Sequence, residues 1–284
     1  MPPRENPTAR QARLGAELRK LRVAAGHTAR ETAAMLGTDQ GKISHIESGR
    51  IGVSEERIRK LADFYGCVDE ALLEALCAIA REHRGQFWWD EYRGTLASQY
   101  LAVAELEHHA TAMRTLQTVT VPGLLQTEDY ARALFKGGLP EPTEEQIDVR
   151  VAHRMRRKAV LDRDDPPEFC AYLHEAALHM RFGGRKVARR QLETLMEAAD
   201  SPRVTVRVIP FTNEDFYEVT QPMLYIHGVV PQLDTVLVDG PTGGGLLGAD
   251  EELAHYRVFF GRATARSLEP EESRQLIHHI ARML

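Results

Sequence analysis

The chain has 284 residues, with 36 Lys+Arg against 41 Asp+Glu for a formal net charge of -5, and is 43% hydrophobic and 27% charged. That balance excludes disorder and collagen-like repeats, and the length suits two globular domains of roughly 100–200 residues each. No apolar run reaches the roughly 18 residues of a membrane-spanning helix, and the N-terminal MPPRENPTARQAR lacks the apolar stretch of a signal peptide. The three cysteines, Cys67, Cys77 and Cys170, include no C-x-x-C pair. A cytoplasmic protein with reduced thiols and no membrane partner is the expectation.

Charge is unevenly spread along the chain. Residues 1–60 hold twelve Lys/Arg and seven Asp/Glu, a net of +5, whereas residues 61–284 carry -10. A basic module on an acidic body favours contact with a polyanion through one end, although solvated arginines on a small helical domain explain the same numbers.

Residues 8–82 predict five short helices. Leu14, Leu18 and Leu21 make an apolar stripe on the first, which Gly26 ends. Thr28 and Glu31 form a capping box for the second, with Ala33, Ala34 and Leu36 inward and Gly37 as its stop. Asp39 caps a third helix that buries Ile43 and Ile46 before Gly49; Ser54 caps a fourth with Ile58, Leu61 and Phe64 inward; Asp69–Glu82 is the fifth. The polar stretch REHRGQ at 81–86 marks a boundary, so the second domain is expected over 86–284. Trp88 and Trp89 open it, either anchoring the linker to a core or bordering an effector or partner pocket.

The second domain mixes strands and helices. Thr115–Val121 alternates like a strand; helices follow from Thr127 to Phe135 and from Thr143 to about Leu161. Glu168–His174 and Arg203–Phe211 read as strands separated by a helical stretch, Lys186–Ala199, so they suit parallel neighbours. Pro222–Val229 and Asp234–Val238 resemble a hairpin, and two helices, Asp250–Ala265 and Pro270–Leu284, finish the chain. The fold class is α+β: an all-α five-helix head followed by a mixed body.

The stretch TARETAAMLGTDQGKISHIESGR, Thr28 to Arg50, has the logic of a helix-turn-helix: a capped helix, a glycine turn, and a second capped helix with short polar groups outward. Such a helix fits the DNA major groove. LRKLRVAAGHT, ETAAMLG and KISHIESGR together resemble the phage-repressor-type (XRE-like) helix-turn-helix family of bacterial transcription regulators over nearly all of residues 10–66. The resemblance implies base reading by Gln40 and His45, with Gly41 at a base-reading position although it has no side chain. It implies phosphate contacts from Lys42, Ser48 and the helix start at Thr28, and a structural ion pair between Arg22 and Glu47. Ala29 stands where the family often has a phosphate-contacting Gln; Arg30 and Arg50 are candidates to replace that contact, or are solvated surface arginines. WWDEY, VPGLLQTEDYARALF, VTVRVIPF and EPEESRQLI resemble the antitoxin-like domain that follows the helix-turn-helix in many actinomycete regulators. That implies a regulator whose larger domain binds a small protein encoded nearby.

Other chemistry finds less support. HEAALH, His174 to His179, spaces its imidazoles five apart, unlike the four-residue spacing of a zinc helix, so no metal is expected. Gly243–Gly248 spells G-x-G-x-x-G, but no helix-then-strand follows; a loop is the expectation, and no cofactor. Arg150, Arg154, Arg156, Arg157 and Lys158 form a basic cluster read as a solvated helix face, a DNA-backbone contact or a dock for an acidic partner. The sequence therefore predicts a non-enzymatic regulator that binds double-stranded DNA as a homodimer and answers to a small protein or small-molecule effector. The alternative is an enzyme domain targeted to DNA by the head.

Overall fold

The computed structural model describes residues 6–83, 85–215, 221–240 and 244–284. Outside these lie residues 1–5 of the stretch read for a leader, residue 84 of the expected linker, and Gly243 of the glycine motif. Two compact units result: Met1–Leu106 with Val229–Leu233, and Glu107–Gly228 with Asp234–Leu284.

In the first unit, helices α1 (Ala9–Ala24), α2 (Ala29–Met35), α3 (Gln40–Glu47), α4 (Glu55–Tyr65) and α5 (Glu70–Arg81) follow their caps closely. Thr8, Thr28, Asp39, Ser54 and Asp69 each accept a hydrogen bond from a backbone N–H of the first turn, which meets one of the orphan donors there. Leu14, Leu18, Ile46, Ile58, Leu61 and Leu76 share one core. Ala34, expected inward, is exposed, because the turn of α2 brings Thr32 into that place; its hydroxyl donates to Thr28 O at 3.1 Å and accepts from Tyr65.

The head continues beyond the expected boundary at 82. A short 3-10 turn at Trp88–Tyr92 leads to α6 (Ser98–His108), and the Glu105 carboxylate accepts from Arg10 N–H at the start of α1. Burial raises the pKa of that carboxyl. Trp89 is buried, stacked on Phe87 at 4.6 Å and packed with Leu101 and Ala104. Five further residues come from far along the chain: Val230 and Leu233 lie in the head core, and Arg13 donates to Gln232 O.

The second unit is built on a mixed six-stranded sheet in the order β3-β2-β1-β4-β5-β6. Its strands are β1 (Ala112–Gln117), β2 (Glu168–His174), β3 (Val204–Ile209), β4 (Met223–His227), β5 (Thr235–Val238) and β6 (Gly245–Leu247). β1, β2 and β3 are parallel; β4, β5 and β6 add antiparallel. Between β1 and β2 run α7 (Glu128–Lys136) and α8 (Glu144–Arg157); between β2 and β3, α9 (Glu175–His179) and α10 (Arg185–Ala198). α11 (Asp250–Arg266) covers one sheet face through Leu253, Phe259 and Phe260, which pack with Leu116, Tyr172 and Tyr225; α12 (Pro270–Met283) closes the chain. β1 begins three residues before the expected strand and ends at Gln117, since Pro122 and the following 3-10 turn take the chain out of the sheet. The expected glycine loop instead contains β6, paired through Gly245, Leu246 and Leu247 to β5.

Candidate nucleic-acid interface

The eight residues of α3 divide cleanly by face. Ile43 and Ile46 are each 2% exposed, and Asp39 accepts from Lys42 N–H at 2.8 Å, fixing the helix start. Gln40, Gly41, Ser44 and Ser48 are exposed, with Lys42 and His45 half-buried. Residues four apart lie on one helical stripe, so Gln40, Ser44 and Ser48 share a row beside Gly41 and His45. A Cβ at Gly41 would meet nothing tighter than the Asp39 carboxylate at 3.0 Å. The row thus offers an amide, a hydroxyl and an imidazole around a gap.

Two contacts set the position of α3. Arg22 grips Glu47 in a bidentate pair, Nε–Oε1 at 2.6 Å and NH2–Oε2 at 3.0 Å, and its NH1 donates to His27 O at 2.7 Å. The hydrogen bonds that Arg22 donates to Glu47 raise its pKa, outweighing the effect of burial. Glycine permits the second contact. A Cβ on Gly15 would come within 2.6 Å of the carbonyl oxygens of Ile46 and Glu47, and one on Gly49, whose φ is +71°, within 2.8 Å of the Gln11 backbone. α1 and the end of α3 therefore approach backbone to backbone. Spacing alone identifies Gly49 as a helix stop, and the one sequence signal at Gly15 is a glycine in the middle of an otherwise strong helix.

Several cations of the head are paired with acids. Arg10 pairs with Glu82, Arg13 with Glu17, Arg59 with Glu55 and Glu74, and Lys60 with Glu56. Among the described residues, the side-chain charges of Arg30, Lys42 and Arg50 have no carboxylate partner; Arg30 and Arg50 are exposed. Arg19 and Arg57 are likewise unpaired. Thr28 is differently engaged: its N–H and hydroxyl both donate to Glu31 Oε2, at 2.7 and 2.8 Å, and these bonds lower the Glu31 pKa. That carboxylate offsets the positive end of α2. The Ser48 hydroxyl donates to His45 O at 3.2 Å, which leaves its oxygen lone pairs outward.

The remaining candidates sit elsewhere. Trp88 is half-buried edge-on to Trp89, and both rings pack in the first unit with Phe87, Leu101 and Ala104, as anchors of a core. The basic cluster on α8 is largely engaged. Arg157 makes a bidentate pair with Glu107 at 2.6 and 2.8 Å, Arg154 donates to Gln126 and lies over the Phe135 ring at 4.2 Å, and the Lys158 ammonium donates to Gln126 O. His174 ends β2 and its Nδ1 accepts from Ala176 N–H, so it does not share a helix face with His179. Among the described residues no group of three or more His, Cys, Asp or Glu is placed to hold a metal ion, and no helix is long and apolar enough to cross a membrane.

A helix-turn-helix domain model matches residues 13–76, and a domain of unknown function, DUF5753, matches residues 100–279. No curated protein and no solved structure matches the chain.

Proposed function

Since the chain belongs to the family defined by the domain of unknown function DUF5753 and carries a helix-turn-helix domain ahead of it, we propose that it regulates transcription by sequence-specific binding of double-stranded DNA. In this XRE-like reading α3 enters the major groove. Gln40 and His45 read base edges, Gly41 admits close approach, and Lys42, Ser48, Arg30 and Arg50 hold phosphates. Thr28 serves the cap first. The observation that supports this is the row of exposed polar side chains on α3, together with cations on α2, on α3 and just after it whose side chains have no acid partner.

One head offers few phosphate contacts, so the reading places two on DNA, in a homodimer whose recognition helices lie about 34–36 Å apart. The second unit takes the controlling signal by binding a small protein partner or effector, in an antitoxin-like arrangement. It carries no catalytic role and needs no cofactor, and the protein acts in the cytoplasm. Genome-wide footprinting at a stated salt concentration tests this. Protected sites with two-fold symmetry and one-turn half-site spacing are expected; binding that ignores sequence at every salt concentration rules the reading out.

A further inference from the structure

α10 carries its charges in the order opposite to the one a helix dipole favours. Arg185 and Lys186 stand in its first turn with no acid, and Glu197 stands in its last with no base. Lys186, Arg189, Glu193, Glu197 and Asp200 follow one another at spacings of three, four, four and three, which keeps them within about 80° around the helix. Glu193 is half-buried and the other four are exposed, on the side away from the buried Ala188, Leu192 and Leu195. One stripe therefore runs from two cations to three acids.

The second unit answers this polarity only in part. Arg190 lies 3.6 Å from Glu193 and 2.8 Å from Glu197, and Arg274 of α12 lies 3.0 Å from Asp200. Glu271 borders the same depression, so four carboxylates meet two guanidiniums there. At the other end, the Lys186 and Arg189 side-chain charges have no carboxylate partner among the described residues. α12 deepens the imbalance. It runs antiparallel to α10, since Arg185 donates to Met283 O and Leu284 O at 2.9 and 3.0 Å while Arg274 donates to Met196 O at 2.8 Å. Its acidic first turn, Glu271 and Glu272, thus adjoins the acidic end of α10, and Arg282 in its last turn adjoins the basic end. Each end gathers like charge, which a partner of opposite polarity relieves.

The stripe is complementary to itself. Turned end over end about Glu193, position 186 meets 200 and position 189 meets 197. A second copy therefore sets Lys186 against Asp200 and Arg189 against Glu197, each pair formed twice. Glu193 meets its own copy, with an Arg190 guanidinium beside each carboxylate. DNA matches only the cationic half of the stripe and a basic peptide only the acidic half; a second copy matches both.

We propose that two copies of the chain associate through antiparallel α10 helices, with the two-fold axis beside Glu193. This rests on reading the protein as a homodimeric regulator, and it names the surface where the copies meet. Exposed ion pairs are individually weak, so the association is salt-sensitive. Sedimentation equilibrium of the full chain is expected to show a dimer with Kd below about 100 µM in about 50 mM salt, and at least about tenfold weaker in about 500 mM. Lys186→Glu with Arg189→Glu leaves the stripe acidic throughout, and Glu197→Lys with Asp200→Lys leaves it basic at both ends. Both changes suit the dipole of α10, so both chains are expected to fold. Each variant alone is expected to be monomeric, and the equimolar mixture to dimerise as the unaltered chain does. An independent measurement uses cysteine. Glu193→Cys, on the axis, is expected to crosslink to its own copy under mild oxidation, whereas Lys186→Cys, whose copies stand about 21 Å apart, is not. An unaltered chain still monomeric at about 1 mM, a mixture of folded variants that stays monomeric, or crosslinking that does not favour Glu193→Cys overturns the proposal. So does a loss of DNA affinity as the sole effect of Lys186→Glu with Arg189→Glu, which assigns the basic end to DNA. DNA binding by the same samples separates the two readings: specific binding without the charge-swap pattern removes only this interface, and the charge-swap pattern without specific binding removes only the regulator.

Discussion

Arg22 is held on two sides, by Glu47 and by His27 O, whereas the Lys42 ammonium on α3 has no carboxylate partner among the described residues. The two cations therefore answer differently to removal. Arg22→Ala leaves a carboxylate 9% exposed without its partner and is expected to cost about 2–4 kcal/mol in urea unfolding, with loss of DNA binding following from misplacement of α3. Lys42→Ala is expected to leave stability within about 0.5 kcal/mol, to weaken all DNA sequences alike and to reduce the salt slope by about one. Gln40→Ala should weaken a cognate site by about 1–3 kcal/mol and leave non-specific binding unchanged, as read by competition titration. Equal loss on cognate and random DNA would remove Gln40 from base readout. Residue-scale roles of this kind were partly legible: caps and inward isoleucines follow from spacing, whereas the partners of Arg154 and Arg157 were not, because Gln126 and Glu107 lie 28 and 50 residues away in sequence.

At the scale of elements, the helices of the head are more legible than the strands because α1 to α5 each begin at a capping side chain and α1 to α4 each end at or just before a glycine, whereas α6 and α9 carry no such pair of signals. β1 and β6 lacked such marks: β1 sits beside α6 with no turn residue at its start, and β6 is three residues long. The approach of α1 to α3 was hidden for another reason, since a glycine inside a helix does not announce what it faces. Gly15→Ala would place a methyl 2.6 Å from two carbonyl oxygens, so a loss of about 1–3 kcal/mol and displacement of α3 are expected, measured as a lowered thermal midpoint together with weakened DNA binding. α8 carries a different dependence. His153 is fully buried, and desolvation first, then the Arg157, Arg154 and Arg156 charges, push its pKa down to about 3. The unfolded chain takes up this proton as pH falls through about 6.5, while the folded chain does not until about 3, so stability is full above 6.5 and declines below it. The expected slope from this group approaches 1.4 kcal/mol per pH unit between about 6 and 4, and His153→Leu should flatten it in denaturant titrations across that range.

At the scale of the whole molecule, the two-part charge distribution and the α+β class were legible from composition and pattern, but the exchange of chain between the units was not. Nothing in Val229–Leu233 marks it as part of the head; only the core it joins does. Asp234, immediately after it, accepts from Tyr225 at 2.7 Å and from Gly228 N–H at 3.1 Å, so the ends of the excursion are tied together within the second unit. Leu233→Ala in the full chain is expected to destabilise the head by about 2–5 kcal/mol although it lies far from α3 in sequence. Unfolding monitored by loss of DNA binding, compared with a sheet-specific probe, would show whether the head alone responds.

That excursion bears on how the protein is made. Since Val230 and Leu233 complete an apolar interior otherwise drawn from the first 106 residues, a nascent chain carries its DNA-binding part unfinished until the ribosome has passed codon 233. A polypeptide interrupted earlier would carry α3 without the plug that steadies the head around it, so prematurely ended products should compete poorly for DNA.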